Sequence, residues 1–166
     1  LGNGATSDKL SSIAIGVNAS AVGEDVSYPI SIKQGAIAIG NSARAKYLHS
    51  IAIGNNAFAE TDGQSLAIGY DTRSFAAGAA VIGTQARAIG EDSISIGIGS
   101  QTEGDRSVAI GYQPTAVGNS SIAIGTNVTL NANEGNVVAI GTESCGDVTG
   151  ANSVCIGYRA GTGVYS

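Results

Sequence analysis

Hydrophobic positions in this chain recur with two superposed periods. At short range they alternate, as in "SIAIGVNASAVG", "AIAIGNSARA" and "SIAIGNNAFA": large aliphatic, small, large aliphatic, glycine. At long range the phrase returns about every 14 residues. The glycines that close it are Gly16, Gly40, Gly54, Gly69, Gly83, Gly97, Gly111, Gly125, Gly141 and Gly157, at intervals of 24, 14, 15, 14, 14, 14, 14, 16 and 16. A fixed period of this length is the mark of a repeat architecture. The one long departure, "EDVSYPISIKQG" at 24–35, predicts an inserted loop in what otherwise reads as a single domain over 1–166.

Two large columns define the phrase. The residue before the reference glycine is Ile15, Ile39, Ile53, Ile68, Ile82, Ile96, Ile110, Ile124, Ile140 or Ile156. Two residues earlier come Ile13, Ile37, Ile51, Leu66, Ala80, Ile94, Val108, Ile122, Val138 and Val154, with a small residue, most often alanine, between the columns. Period two predicts a β-strand with an aliphatic face and an alanine face, apolar on both sides and therefore buried on both.

The second half of each unit alternates differently. "NNAFAE" sets Ala57 and Ala59 against Asn56, Phe58 and Glu60; "NSARAK" sets Ala43 and Ala45 against Arg44 and Lys46; "TQARAIG" sets Ala86 and Ala88 against Arg87. This predicts a half-buried strand, small residues in and variable residues out. Pro114, Val128 and the segment around Cys145 interrupt the alanine pattern. Two strands per unit with alanine facing alanine make a thin, flattened solenoid, all-β, with glycines at its corners, including half-period glycines Gly23, Gly90 and Gly118. Ten such rungs at about 4.8 Å make a rod of roughly 48 Å. Period two and frequent glycine exclude a helical reading.

With the alanine faces turned inward, the aliphatic columns point outward, and nineteen of their twenty positions hold Ile, Leu or Val. Two such columns about 7 Å apart form a strip on the order of 400 Å² or more, about the largest apolar patch a soluble monomer exposes. Each side chain gains roughly 1.5–3 kcal/mol on burial. Self-association about an axis parallel to the rod covers the strip in every copy; the residues themselves do not distinguish two copies from three.

Composition supports a thin interior: 25 Gly, 43 % hydrophobic but only 5 % aromatic, no Trp and no Met. A charged fraction of 13 % argues against disorder. The net charge of −5 and scattered basic residues argue against nucleic acid. Neither a signal peptide nor a membrane-spanning apolar run is evident, so no direct membrane insertion is expected of this segment.

Candidate chemistry is sparse. His49 is the sole histidine, Glu24–Asp25 and Glu91–Asp92 adjoin turns, and no Gly-Gly-x-Gly-x-Asp calcium phrase occurs. We expect no catalytic residues, no cofactor and no metal. The outward column is too mixed for ice binding. Cys155 takes an alanine place and reads as a small buried hydrophobe, with a disulfide to Cys145 the other reading. Tyr70, Tyr112 and Tyr158 follow reference glycines. The outward residues Arg44, Lys46, Phe58, Arg73, Phe75 and Arg87 are the candidate ligand surface, since Arg and aromatics are enriched in interfaces. The 24–35 insertion is a second candidate, projecting from a rigid scaffold.

"SIAIGVNASAVG", "AIAIGNSARA", "SIAIGNNAFA" and "NSVCIGYRAG" resemble the repeats of YadA-like head domains of trimeric autotransporter adhesins over most of the chain. The resemblance implies a left-handed parallel β-roll of about ten 14-residue repeats, a homotrimer whose interface is built from the nineteen Ile, Leu and Val positions above. It also implies display from the outer membrane of a Gram-negative bacterium, on stalk and anchor sequences that these residues do not contain. Function by resemblance is non-enzymatic attachment to host extracellular matrix or a cell-surface receptor. The family's collagen-linked Asn-Ser-Val-Ala-Ile-Gly phrase is approached by Asn152-Ser153-Val154-Cys155-Ile156-Gly157, with Cys155 replacing alanine. Similar repeats in trimeric phage and viral fibres make a receptor-binding or structural fibre segment the alternative.

Overall fold

Rung-to-rung hydrogen bonding organises the described residues. In the computed structural model, which describes residues 2–8, 11–24, 35–61, 63–131, 135–146 and 150–161, every strand is parallel to its neighbours. The insertion expected to project at 24–35 falls, apart from its ends, outside the described residues. Two sheets run side by side. Ten strands carry the aliphatic phrase: Ile13–Ile15, Ile37–Ile39, Ile51–Ile53, Leu66–Tyr70, Ala80–Thr84, Ile94–Ile98, Val108–Tyr112, Ile122–Thr126, Val138–Ile140 and Val154–Ile156. Nine carry the second half-units: Thr6–Ser7, Ser20–Glu24, Arg44–Tyr47, Phe58–Ala59, Arg73–Ser74, Arg87–Ala88, Gln101–Thr102, Thr115–Ala116 and Thr129–Leu130.

The chain alternates between the sheets, so each strand pairs with the strand one coil later. The reference glycines lie opposite one another, Gly69 on Gly83, Gly83 on Gly97 and Gly97 on Gly111, as do the isoleucines before them. The described residues thus form an all-β parallel solenoid of about nine turns, without helix.

Its interior is filled mainly by small side chains, the alanine column first among them. Ala38, Ala45, Ala52, Ala59, Ala67, Ala88, Ala109 and Ala123 are fully buried. Pro114, Val128 and Leu130, which interrupt the alanine rhythm, also point inward and are among the largest buried side chains. Register is kept at these positions, Thr115 still lying opposite Thr129.

Hydroxyls fill the remaining interior positions, and alternation alone does not reveal them. The residue before the first large column is a buried serine in several rungs. Ser93 Oγ donates to the Gly90 carbonyl at 2.6 Å, Ser107 Oγ to Gly104 at 2.6 Å, and Ser50 Oγ to Tyr47 at 2.5 Å. Each closes a tight corner onto the backbone three residues upstream, the local bonding that suits serine to turns. Ser93 also meets Thr102 at 3.0 Å, and Ser95 meets Ser100 at 2.8 Å across the interior.

The reference glycines hold the backbone angles expected of corner glycines, with φ from 126° at Gly157 to 144° at Gly83, and Gly23 has φ 58°. The residue two places after the reference glycine is left-handed as well, almost regardless of type: Asn56 (φ 53°), Asp71 (φ 50°), Gln85 (φ 55°), Gln113 (φ 52°) and Asn127 (φ 51°). Gly90 and Gly118 do not have positive φ. Corner hydrogen bonds between rungs, such as Gln85 N–H to the Tyr70 carbonyl (2.8 Å) and Asp92 N–H to Ala77 (2.9 Å), impose one conformation on every coil. The reference glycines are needed for another reason as well. At Gly83 (φ 144°) a Cβ would lie 2.0 Å from the Gly97 carbonyl oxygen of the next rung.

Candidate functional site

Two faces carry the candidate residues. On the ten-stranded sheet, none of the nineteen large aliphatic positions is buried. Ile13, Ile15, Ile82, Ile94, Ile140, Val154 and Ile156 are exposed, and Ile37, Ile39, Ile51, Ile53, Leu66, Ile68, Ile96, Val108, Ile110, Ile122, Ile124 and Val138 are half-buried. The half-burial comes from neighbours stacked one rung apart. Exposure is higher at the last described strand, 67 % at Val154 and Ile156, and around Ala80, whose methyl group leaves Ile82 and Ile94 less covered. Tyr70, Ile98 and Tyr112 extend the exposed apolar surface at the ends of the same strands. Against an interior of fully buried alanines, this strip is an apolar surface that the described residues leave open.

On the nine-stranded sheet, the register stacks Ser20, Arg44, Phe58, Arg73, Arg87, Gln101, Thr115 and Thr129 into one column. Arg44 and Arg73 lie over the two sides of this run at Phe58, with guanidinium carbons 5.8 and 5.4 Å from the ring centre; Arg87 lies 5.8 Å from Phe75. Lys46 sits 5.1 Å from the Tyr47 ring. Two carboxylates that the sequence reading did not single out join them: Arg44 pairs with Glu60 at 3.3 Å, and Arg73 with Asp71 at 3.2 Å. The signal for Asp71 was its place two residues before Arg73. Glu60 is a diagonal neighbour one coil on, visible only once the register is known.

These side chains line adjoining open grooves. Arg44, Phe58, Glu60, Arg73 and Phe75 form one; Asp71, Arg73, Gln85 and Arg87 form the next. All six candidate ligand residues are therefore on one sheet face across successive rungs.

The cysteines lie at the C-terminal end of the solenoid. Cys155 occupies the alanine position opposite Ala139, and its Sγ is bonded to that of Cys145, with Cα atoms 5.6 Å apart. The two readings of Cys155 are therefore compatible, since it is both buried and bridged. Cys145 also donates its N–H to the Ala160 carbonyl at 2.7 Å, so the bridge and this bond tie the last coil to the preceding one. Val154 and Ile156, on either side of Cys155, point outward. His49 is exposed at a corner with φ 59°. Among the described residues no three of His, Cys, Asp or Glu are grouped as metal ligands.

The repeat and its geometry have known counterparts. The family model described as "YadA head domain repeat (2 copies)" matches residues 1–19, 7–25, 31–57, 47–72 and 88–113, more than half of the chain. The chain belongs to the YadA head family. Among solved structures, it is similar to the collagen-binding domain of the Yersinia adhesin YadA: 25 % identity, a TM-score of 0.56, and coverage of 95 % of this chain and 84 % of that one. No curated protein matches it.

Proposed function

We propose that this chain is the head of a surface-displayed bacterial adhesin that forms a homotrimer through its aliphatic strip and attaches to host extracellular matrix or cells. The observation that carries this reading is the division of labour between the faces. One sheet presents nineteen Ile, Leu and Val side chains with no cover in the single chain; the other presents charged and aromatic side chains on a rigid ladder. Three chains packed about an axis parallel to the rod bury the first face and leave the second outward in triplicate. Weak contacts repeated on three faces then add to useful avidity.

The likeness to the collagen-binding domain of the Yersinia adhesin favours a matrix protein as the ligand. The phrase nearest the family's collagen-linked motif, Asn152 to Gly157, presents Val154 and Ile156 outward while Cys155 is committed to the disulfide. The activity assigned is attachment, not catalysis. Surfaces coated with collagens, fibronectin and laminin, probed with the purified protein after its mass in solution has been measured, test the reading. Saturable attachment by a trimer is expected. Absence of attachment to any matrix protein or host cell, by a protein shown to be folded, would sink it.

A further inference from the structure

We propose that the Arg/Phe ladder of the nine-stranded sheet is a binding site for an acidic polysaccharide, with carboxylate or sulfate groups held by Arg73 and Arg87 and a sugar ring lying against Phe75. The assignment rests on the adhesin reading and names the chemistry of one ligand its outward face fits.

The ladder concentrates positive charge in an otherwise acidic chain. Arg44, Lys46, Arg73 and Arg87 are half of the eight basic residues in a protein of net charge −5. Along the column, Arg44, Phe58, Arg73 and Arg87 occupy consecutive rungs. At about 4.8 Å per rung they span roughly 14 Å, the reach of a few linked sugars. The match is therefore to an extended, repeating ligand.

The guanidinium groups are pre-set for oxyanions. Each lies over an aromatic ring, Arg44 and Arg73 at Phe58 and Arg87 at Phe75. Such an arrangement favours the flat guanidinium and limits its freedom, while its N–H edge can take a carboxylate or sulfate in the bidentate mode. Glu60 and Asp71 occupy Arg44 and Arg73 in part. Arg87 has no carboxylate partner among the described residues, so its edge is open to an incoming anion. It shares a groove with Arg73 and with the side chain of Gln85, which can add an amide donor.

An acidic peptide fits less well. It would bind an exposed sheet most strongly by adding a strand, but the strands Arg44–Tyr47 to Gln101–Thr102 are paired on both edges. Only side-chain contacts remain, and the exposed Phe75 ring beside Arg87 suits the apolar face of a pyranose as well as its charge. Nucleic acid carries the same kind of charge and is separated from a polysaccharide by the oligothymidylate arm of the test below.

Binding of the purified protein to heparin, hyaluronan, dextran sulfate and uncharged dextran, measured by calorimetry, tests the proposal. Hyaluronan carries carboxylate alone and dextran sulfate carries sulfate alone, so these two arms identify the anion. Saturable binding to heparin and to one or both of them, but not to dextran, is expected. R87A should weaken it roughly tenfold or more, as loss of a charge-assisted contact does. R87K, which keeps the charge but loses the fork, and F75A should each weaken it several-fold, while T129A at the far end of the column leaves it unchanged. Circular dichroism would establish that each variant is folded. Equal binding to dextran, full affinity in R87K, or an oligothymidylate bound as tightly as heparin would overturn the assignment. Attachment to matrix-coated surfaces without binding to any polyanion would overturn it while leaving the adhesin reading intact; attachment to nothing would end both.

Discussion

At Gly83 the backbone of one rung approaches that of the next so closely that a methyl group has no place: the added Cβ would sit 2.0 Å from the Gly97 oxygen, at a φ of 144°. Flexible side chains can yield to such a clash, but a hydrogen-bonded carbonyl in a ladder cannot without disturbing its neighbours. Gly83→Ala is therefore expected to destabilise the fold by roughly 3 kcal/mol. Gly150→Ala, where the nearest atom to the new Cβ is the Ser153 hydroxyl at 3.7 Å and φ is not positive, should stay within about 0.5 kcal/mol. Thermal or denaturant unfolding of both variants makes the comparison. The buried serines act at the same scale. Ser93→Ala removes the donor to Gly90 and the contact with Thr102, and we expect a loss of about 1–2 kcal/mol in the same assay. Ala36, Ala79 and Val137 fill the equivalent place in other rungs, so the column also accepts an apolar residue there. From the letters alone, Ser93 looks like a polar residue near a turn. Its burial follows from the corner folding back over it, a property of the coil and not of the serine.

Strands and corners differ in how plainly they were written. The large-small-large phrase has period two and both of its faces are committed, so each strand of the ten-stranded sheet could be read off its isoleucines. The short strands of the other sheet, such as Phe58–Ala59 and Arg87–Ala88, were legible from their inward alanines. Corners were not, because their left-handed residues vary among Asn, Asp, Gln, Glu and Arg and owe their conformation to bonds with the adjacent coil. The C-terminal pair of rungs adds a covalent link. Cys145 and Cys155 are ten residues apart, and closing so short a loop contributes about 2–3 kcal/mol in the chain-entropy account. In a Cys145→Ser/Cys155→Ser variant, amide exchange should accelerate at Val138, Cys145 and Gly157, whose N–H groups bond across these coils, while Arg73 and Arg87 keep their protection. Uniform acceleration along the rod would show instead that the bridge supports the whole solenoid.

For the molecule as a whole, the exposed strip decides the solution state. Half-burial of Ile96 and Ile110 by their neighbours leaves the outer part of each side chain in water, and the strip repeats this along the length of the rod. Sedimentation should report a trimer. An Ile96→Asp/Ile110→Asp variant would place two charges per chain in the apolar contact, at a cost of several kcal/mol, and should sediment as a monomer or aggregate. Thr115→Asp, on the opposite sheet, should remain a trimer. A wild-type protein that runs as a monodisperse monomer would remove the basis for multivalent attachment by three faces.

Period, alternation and the placement of Ile, Ala and Gly determined the solenoid, its two kinds of strand and the face left without cover, because these depend only on which side of a strand each residue occupies. The tertiary structure decided what depends on proximity between coils. It stacked Arg44, Phe58, Arg73 and Arg87 in register, brought Glu60 to Arg44 across a diagonal, joined Cys145 to Cys155, and folded the serine corners inward. Residues 14 to 16 places apart in the chain are neighbours only after the chain has coiled. That spacing is visible in the sequence as a repeat, but the contacts it creates exist only between one rung and the next.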